Sequence, residues 1–278
     1  MISISLIPNE QLTFLDWFQK DARHFQMIYQ SVFLIYGINF LGWAADSINY
    51  FLFIFFSLIT QYVWLKIKGK DLSGLKSGLI TSLSLSMMFK AGHPGIAVLA
   101  PILAITSKYI FNYKRKHFFN PANFGIIISI LITGEGWISP GQWGSDAVII
   151  YLIGAAGLMI ILKVKRLETA FAFLFTFLLA EFTRTSGYLG WEPEVFLHKI
   201  TNGSLWLFTF FMITDPVSTP NHPKARLIWA SCTGLLAFAL GNFLFVNAAP
   251  LWALFIMSPL TFFFDKLFIH QKFKWIQS

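Results

Sequence analysis

Asp215 closes a run that is otherwise hydrocarbon: Phe210-Phe211-Met212-Ile213-Thr214-Asp215-Pro216-Val217-Ser218-Thr219-Pro220. A carboxylate at the middle of a bilayer costs at least ~2.5 kcal/mol, so it needs a compensating partner. Two chemistries meet that need. Thr214 or Asp215 can cap a new helical turn, with Pro216 at its first position, and satisfy free backbone N–H groups. Alternatively the reopened N–H groups, the Asp215 carboxylate and the Ser218 hydroxyl hold a ligand or an ion. A second polar constellation, Asn120-Pro121-Ala122-Asn123, offers side-chain amides to the same ligand, or else is a proline turn followed by a helix cap. His93 in Gly92-His93-Pro94-Gly95, and Gly203-Ser204 at the head of the run leading to Asp215, complete the candidate ligand contacts.

Other chemistries find no residues to carry them. There is no nucleophile elbow, phosphate loop or pair of catalytic carboxylates. The six histidines have no metal-ligand spacing, so no metal is expected. A single cysteine, Cys232, excludes an intrachain disulfide and an iron–sulfur cluster held by this chain alone. Its place within an apolar block predicts a buried small hydrophobe.

The elements that position these residues follow from composition. Of the 278 residues 56% are hydrophobic and 12% charged, about half the charge of a soluble domain. The apolar residues form ten blocks, at about 27–43, 50–66, 76–90, 95–112, 122–135, 146–163, 168–184, 203–214, 226–246 and 249–268. This pattern predicts an all-α polytopic membrane protein of about ten transmembrane helices, with the lipid bilayer as its surroundings. With the N-terminus inside, every Lys and Arg except Lys90, Arg184 and Lys199 falls on the cytoplasmic side. The positive-inside rule therefore places both termini in the cytoplasm and accounts for the net charge of +8. Aromatics lie inside the blocks rather than on a basic face, which argues against a nucleic-acid partner. Residues 9–24 read as a short amphipathic helix, and Trp43, Trp64, Trp137, Trp143, Tyr188, Trp191 and Trp275 as an interfacial belt. Asp46 is expected at the interface, and Glu181 and Arg184 as a local i,i+3 ion pair.

Two blocks are too short to span. The eighth, Gly203 to Ile213, covers ~16 Å at ~1.5 Å per residue, against ~30 Å of hydrocarbon. The third, Ser77 to Phe89, is also short and ends in Gly92-His93-Pro94. Counted five plus five, these are third and third, and an odd repeat inverts its second copy. The expected layout is a cytoplasmic segment 1–25, five-helix repeats over 26–135 and 136–270, and a basic tail 271–278. The two broken helices would meet at the midplane around a cavity.

The motifs resemble a known family. Phe118-Phe119-Asn120-Pro121-Ala122-Asn123-Phe124-Gly125, preceded by Ser107-Lys108-Tyr109, is similar to the segment after the fourth helix in the RnfD component of the Rnf electron-transport complex. The NqrB component of the sodium-pumping NADH:quinone oxidoreductase has a similar segment. Ile213-Thr214-Asp215-Pro216-Val217-Ser218, followed by Lys224-Ala225-Arg226-Leu227-Ile228, resembles the same family's Thr-Asp-Pro-Val stretch and the Arg opening its next helix. The resemblance, over roughly residues 20–268, implies a ten-helix inverted-repeat bundle similar to urea and ammonium channels. It implies a subunit of the bacterial inner membrane that helps move electrons across it, coupled to Na⁺ or H⁺, with other membrane redox subunits or further copies of itself as partners. Such a chain is an electron-transfer subunit rather than a stand-alone enzyme. The family attaches FMN to a Thr in the outer loop after the fifth helix. Here that loop, Gly134 to Ser145, contains no Thr. No covalent flavin is expected, which leaves room for a non-covalent FMN or riboflavin. A channel or transporter for a small solute is the alternative on the same bundle.

Overall fold

The computed structural model describes residues 21–113, 116–139, 143, 147–273 and 275. Most of the expected amphipathic segment 9–24 and part of the tail 271–278 lie outside the described residues, as does part of the loop 134–145. Every apolar block becomes helix. They are α1 (Ala22–Phe40), α2 (Ser47–Ile67), α3 (Leu75–Met88), α4 (Pro94–Ile110) and α5 (Pro121–Thr133) in the first half. The second half has α6 (Ala147–Val164), α7 (Leu167–Phe182), a short α8 (Pro193–Ile200), α9 (Gly203–Leu207), α10 (Pro223–Asn242), α11 (Ala249–Met257) and α12 (Leu260–Leu267). From Phe208 to Met212, α9 continues as a widened π-type turn.

At α1, α4, α5, α9 and α10 a polar side chain ahead of the first turn explains where the helix begins. Asp21 caps α1, its carboxylate accepting from Arg23 N at 3.0 Å, so α1 starts before the apolar block itself. His93 Nδ1 accepts from Gly95 N (3.0 Å) ahead of Pro94, and His222 Nδ1 from Lys224 N (3.1 Å) ahead of Pro223. Asn120 and Asn202 cap α5 and α9 through their side-chain oxygens. Where α3 stops, the chain runs on as strand β1 (Phe89–Ala91), antiparallel to β4 (Gly136–Ile138) with Phe89 opposite Ile138. Strands β2 (Asn112–Tyr113) and β3 (Lys116–His117) form a small hairpin after α4.

Three helix pairs recur between the halves, whereas the close packing of α2 against α3 has only a slight counterpart. In the first half α1 lies against α3, α2 against α4 and α4 against α5. In the second, α6 lies against α9, α7 against α10 and α10 against α11. Contacts of α1 with α6 and of α5 with α11 join the halves. The interior is apolar but carries buried Gln30, Ser82, Ser86, Thr169 and Thr233, while the outside carries Phe51, Phe55, Tyr151, Phe171 and Phe175. Close crossings use glycine. A Cβ at Gly125 would stand 2.6 Å from Ala100 O, and one at Gly157 2.3 Å from Phe210 Cβ.

Among the described residues, Trp43–Ile67 is the single helix long and apolar enough to cross a bilayer unaided. The pair α11 and α12 passes the same test jointly but is bent by 51° at the Ser258-Pro259 junction. Helices α4, α5, α9 with its π turn, and residues 148–164 of α6 are apolar but shorter.

Some local expectations fail. Cys232 is exposed, because it lies on the outward side of α10. Trp43 and Trp143 are core residues packed edge to face at 4.7 Å, not belt residues, since the Trp143 indole donates to Met87 O at 3.1 Å. Glu181 pairs with Lys199 (2.9 Å) and Asn242, because the π turn over Thr183–Tyr188 carries Arg184 to Phe243 instead. Asp46, expected at the interface, is partly exposed and pairs with Lys90 at 2.5 Å, which does not conflict with that expectation. Helix α8 falls in a stretch read as loop, and none of its residues is buried.

Candidate functional site

The π turn that ends α9 delivers Thr214 and Asp215 into a loop that reverses the chain before α10. Thr214 Oγ1 donates back to Phe210 O (2.7 Å), finishing the helix. Asp215 then folds over its own loop. Oδ1 accepts from Val217 N at 3.1 Å and Oδ2 from Ser218 Oγ at 3.0 Å, an Asx turn with a second hydroxyl contact. Its backbone carbonyl accepts from Thr219 N and Thr219 Oγ1. Part of the carboxylate still faces outward, with His117 Nε2 4.0 Å from Oδ2.

Cations hold this loop by its carbonyl oxygens. Arg166 donates to Pro216 O (3.1 Å) and Thr219 Oγ1 (3.2 Å). Lys116 Nζ donates to Thr219 O (2.6 Å) and pairs with Asp265 at 2.5 Å, while Asp265 Oδ1 accepts from Asn221 N at 2.7 Å. Arg226 donates to Asn221 O (2.6 Å) and forms an ion pair with Glu168. Hydrogen bonds from charged donors contribute roughly 1.5–3 kcal/mol each, so the loop is fixed from three sides. Burial lowers the Arg166 guanidinium to about 10, leaving it charged at neutral pH. Burial also lowers the His117 imidazole, to about 4; Asp215 opposes that shift, while Lys108 and Lys116 add to it. His117 is therefore neutral at pH 7.

Facing the loop is the start of α5. Asn120 Oδ1 accepts from Asn123 N (3.1 Å) and its Nδ2 donates to Met212 O (3.3 Å), bridging the α5 cap to the last turn of α9. Between them lies a cavity of about 80 Å³ lined by Arg23, Ser77, Thr81, His117, Asn120 and Asp215 among others. At ~10–15 Å³ per water this holds a handful of waters, an ion or a very small solute.

A second cavity, of about 380 Å³, lies at the opposite end of α9, among Met88, Lys199, Ser204, Asn247 and Leu251. Asn123 stands between the two. It is 1% exposed, its Nδ2 donates to Leu251 O (2.9 Å), and its Oδ1 has no partner among the described residues. Gln30 is in the same position. Its Nε2 donates to Ser84 Oγ (3.0 Å), on the wall of the smaller cavity, and its Oε1 is unpartnered.

Of the candidates from sequence, Thr214, Asp215, Pro216, Asn120 and Pro121 line one cavity, with Ser218 bonded to Asp215 and Asn123 one turn deeper. Gly203 and Ser204 start α9, at its other end from Asp215, where Gly203 packs against Trp143. His93 is elsewhere again, half exposed and 3.1 Å from Glu135. Sequence reasoning missed His117, Lys116, Arg166, Arg226 and Lys108. All but His117 were read as loop charges fixing orientation, yet each of those four is nearly buried. The spacing Lys116-His117-x-x-Asn120, just ahead of a helix, was the available signal.

The sequence profile of the NQR2, RnfD, RnfE family matches residues 127–274, covering α6 to α12 and most of α5. The chain is also similar to the D component of the ion-translocating oxidoreductase complex of Shewanella frigidimarina (strain NCIMB 400), at 33% identity over 113 residues. That stretch is 40% of this chain and 29% of the relative, so the match spans under a third of the relative's length. The profile match takes in more than half of the residues, and the chain belongs to the NQR2, RnfD, RnfE family.

Proposed function

We propose that this chain is an integral membrane subunit of an electron-transport assembly that moves ions. In that assembly the loop at Asp215 and the cap at Asn120 form a polar site within the protein. The observation that carries the reading is the small polar cavity between the end of α9 and the start of α5, in a chain of this family. Membrane residence is supported by the large apolar side chains exposed along the outer faces of α1, α2, α6 and α7, a pattern that marks contact with lipid or a partner. The ten-span, twice-repeated arrangement is supported by the recurring helix pairs. It is supported also by the matching His-Pro starts of α4 and α10, and by cavities at either end of α9. The assignment to a bacterial inner membrane with both termini in the cytoplasm, and to other redox subunits as partners, rests on loop charge and on the relative's name.

The cavity at Asp215, at about 80 Å³, is small beside a three-ring isoalloxazine. That size favours a second reading on the same site, a conduit for an ion or very small solute without electron chemistry. The loop residues would act by position. Asp215 and Asn120 present oxygen and amide groups to the cavity, and the neutral His117 imidazole can accept or donate one hydrogen bond there.

The Asp215→Asn variant keeps an acceptor for Val217 N but removes the charge. It should insert and fold like the parent, yet lose most of the ion-coupled electron transfer of the reconstituted assembly. Unchanged activity would reduce Asp215 to a turn residue. An absorption spectrum of the purified chain separates the readings: flavin bands favour the redox role, and a colourless protein with solute flux in liposomes favours the conduit. A fluorescent band surviving SDS gel electrophoresis would refute the expectation of no covalent flavin.

A further inference from the structure

On the far side of the Lys116–Asp265 pair lies a cavity unconnected with the one at Asp215. It has a volume of about 450 Å³ and opens outward between the β2–β3 hairpin and the C-terminal helix α12. Three features set its chemistry. The first is charge. Among the lining residues lysines outnumber carboxylates, with Lys116, Lys266 and Lys272 against Asp265, which pairs with Lys116 at 2.5 Å. The second is an unused hydroxyl. Thr261 is fully buried on the wall, and its Oγ1 has no hydrogen-bond partner among the described residues. A buried orphan hydroxyl costs roughly 1–3 kcal/mol unless a ligand or water satisfies it. The third is the rim. The 51° bend after α11 turns α12 so that Phe262, Phe263 and Leu267 are exposed, followed by Ile269, which is 89% exposed. Cations and a hydroxyl inside, with aromatic and aliphatic groups outside, match an amphiphile with an anionic head.

We propose that this cavity binds the phosphate headgroup of an anionic glycerophospholipid, whose acyl chains lie along Phe262, Phe263 and Ile269. Thr261 and Lys266 approach the phosphate oxygens, and Lys272 and His270 close over them. The cavity wall also braces the Asp215 loop, since Lys116 donates to Thr219 O and Asp265 accepts from Asn221 N. An occupied cavity therefore stiffens the loop from behind. The proposal rests on membrane residence, and the cytoplasmic leaflet, toward which these lysines are assigned, is the anionic one.

The test uses the full chain purified in mild detergent, with native mass spectrometry and thermal unfolding as readouts. Phosphatidylglycerol should be retained over phosphatidylcholine by roughly 10- to 30-fold, as two lysines near a headgroup imply. Phosphatidylglycerol should also raise the unfolding temperature. The double variant K266Q/K272Q, changing two exposed residues, should lose both effects, and T261V should weaken retention. The charge-matched control K68Q/K70Q, on the exposed end of α2 and the turn after it, should keep both. Equal retention of the two lipids, or equal loss in K68Q/K70Q, would overturn the proposal. A rise in unfolding temperature with inorganic phosphate or glycerol 3-phosphate alone would also overturn it, by identifying a free-anion site. Failure of membrane residence is distinguishable: the protein would then appear in the high-speed supernatant without detergent, whatever its lipid preference.

Discussion

Asp215 uses both carboxylate oxygens inside its own turn, so its substitutions separate structure from charge. Asp215→Ala removes the acceptor for Val217 N and should cost about 1–2 kcal/mol, as loss of a cap does. Asp215→Asn should cost less, and thermal unfolding of the two variants side by side checks this. Asn120 offers the same separation. Asn120→Asp keeps an oxygen for Asn123 N but loses the donor to Met212 O, so it should unlink α5 from α9 while leaving α5 capped. Asn120→Ala loses both and should be the less stable of the two. His117 sets a pH dependence. Its imidazole is held below the unfolded value of about 6.5, so between there and about 4 the unfolded chain binds a proton that the folded chain does not. Stability should be full above pH 6.5 and fall as the pH drops through that window. His117→Asn should flatten the slope, and unfolding midpoints at pH 7 and pH 5 test it.

At the scale of elements, the approach of α6 to the end of α9 is the sensitive contact. A Cβ on Gly157 would overlap Phe210 Cβ, where the π turn begins to open. Gly157→Val should destabilise by roughly 1–3 kcal/mol through overpacking. It should also displace the Asp215 loop, so that the activity loss exceeds that of an equally destabilising change on the outer face of α7. The ten apolar blocks made the helices legible in sequence, because a block of that length has no other way to satisfy its backbone. The caps at Asn120, Asn202, His93 and His222 fix starts to within a few residues. The bend at Ser258-Pro259 was harder to read, since apolar residues continue on both sides of it. Helix α8 was missed because its eight residues, Pro193–Ile200, are too few for an apolar repeat to stand out from the loop around them. The burial of Lys116, Arg166 and Arg226 was invisible for a different reason. A lysine or arginine beside a block end reads as a solvated charge, and what binds these three are backbone carbonyls of a loop about 50 or more residues away, or of their own turn.

For the whole molecule, the outside is apolar as well as the core: phenylalanine, isoleucine and tyrosine are exposed on the outer faces, while glutamine, serine and threonine lie among the apolar residues within. Extraction should therefore require detergent, and carbonate washing should leave the protein in the membrane pellet. Single cysteines placed in a Cys232→Ser background test the assignment of sides. Lys68→Cys should react with an impermeant thiol reagent from the cytoplasmic face, and Glu135→Cys from the opposite one. Labelling of both from one face would remove the inverted repeat. One last contact crosses the molecule from end to end. The Trp275 ring lies over the Arg23 guanidinium at 5.4 Å, and both border the cavity at Asp215. Helix α1 and the segment after α12 thus clasp each other across that opening. Trimming from Trp275 onward, or a bulky fusion attached there, would unfasten the clasp, and an assay on tagged protein would then measure the tag as much as the chain.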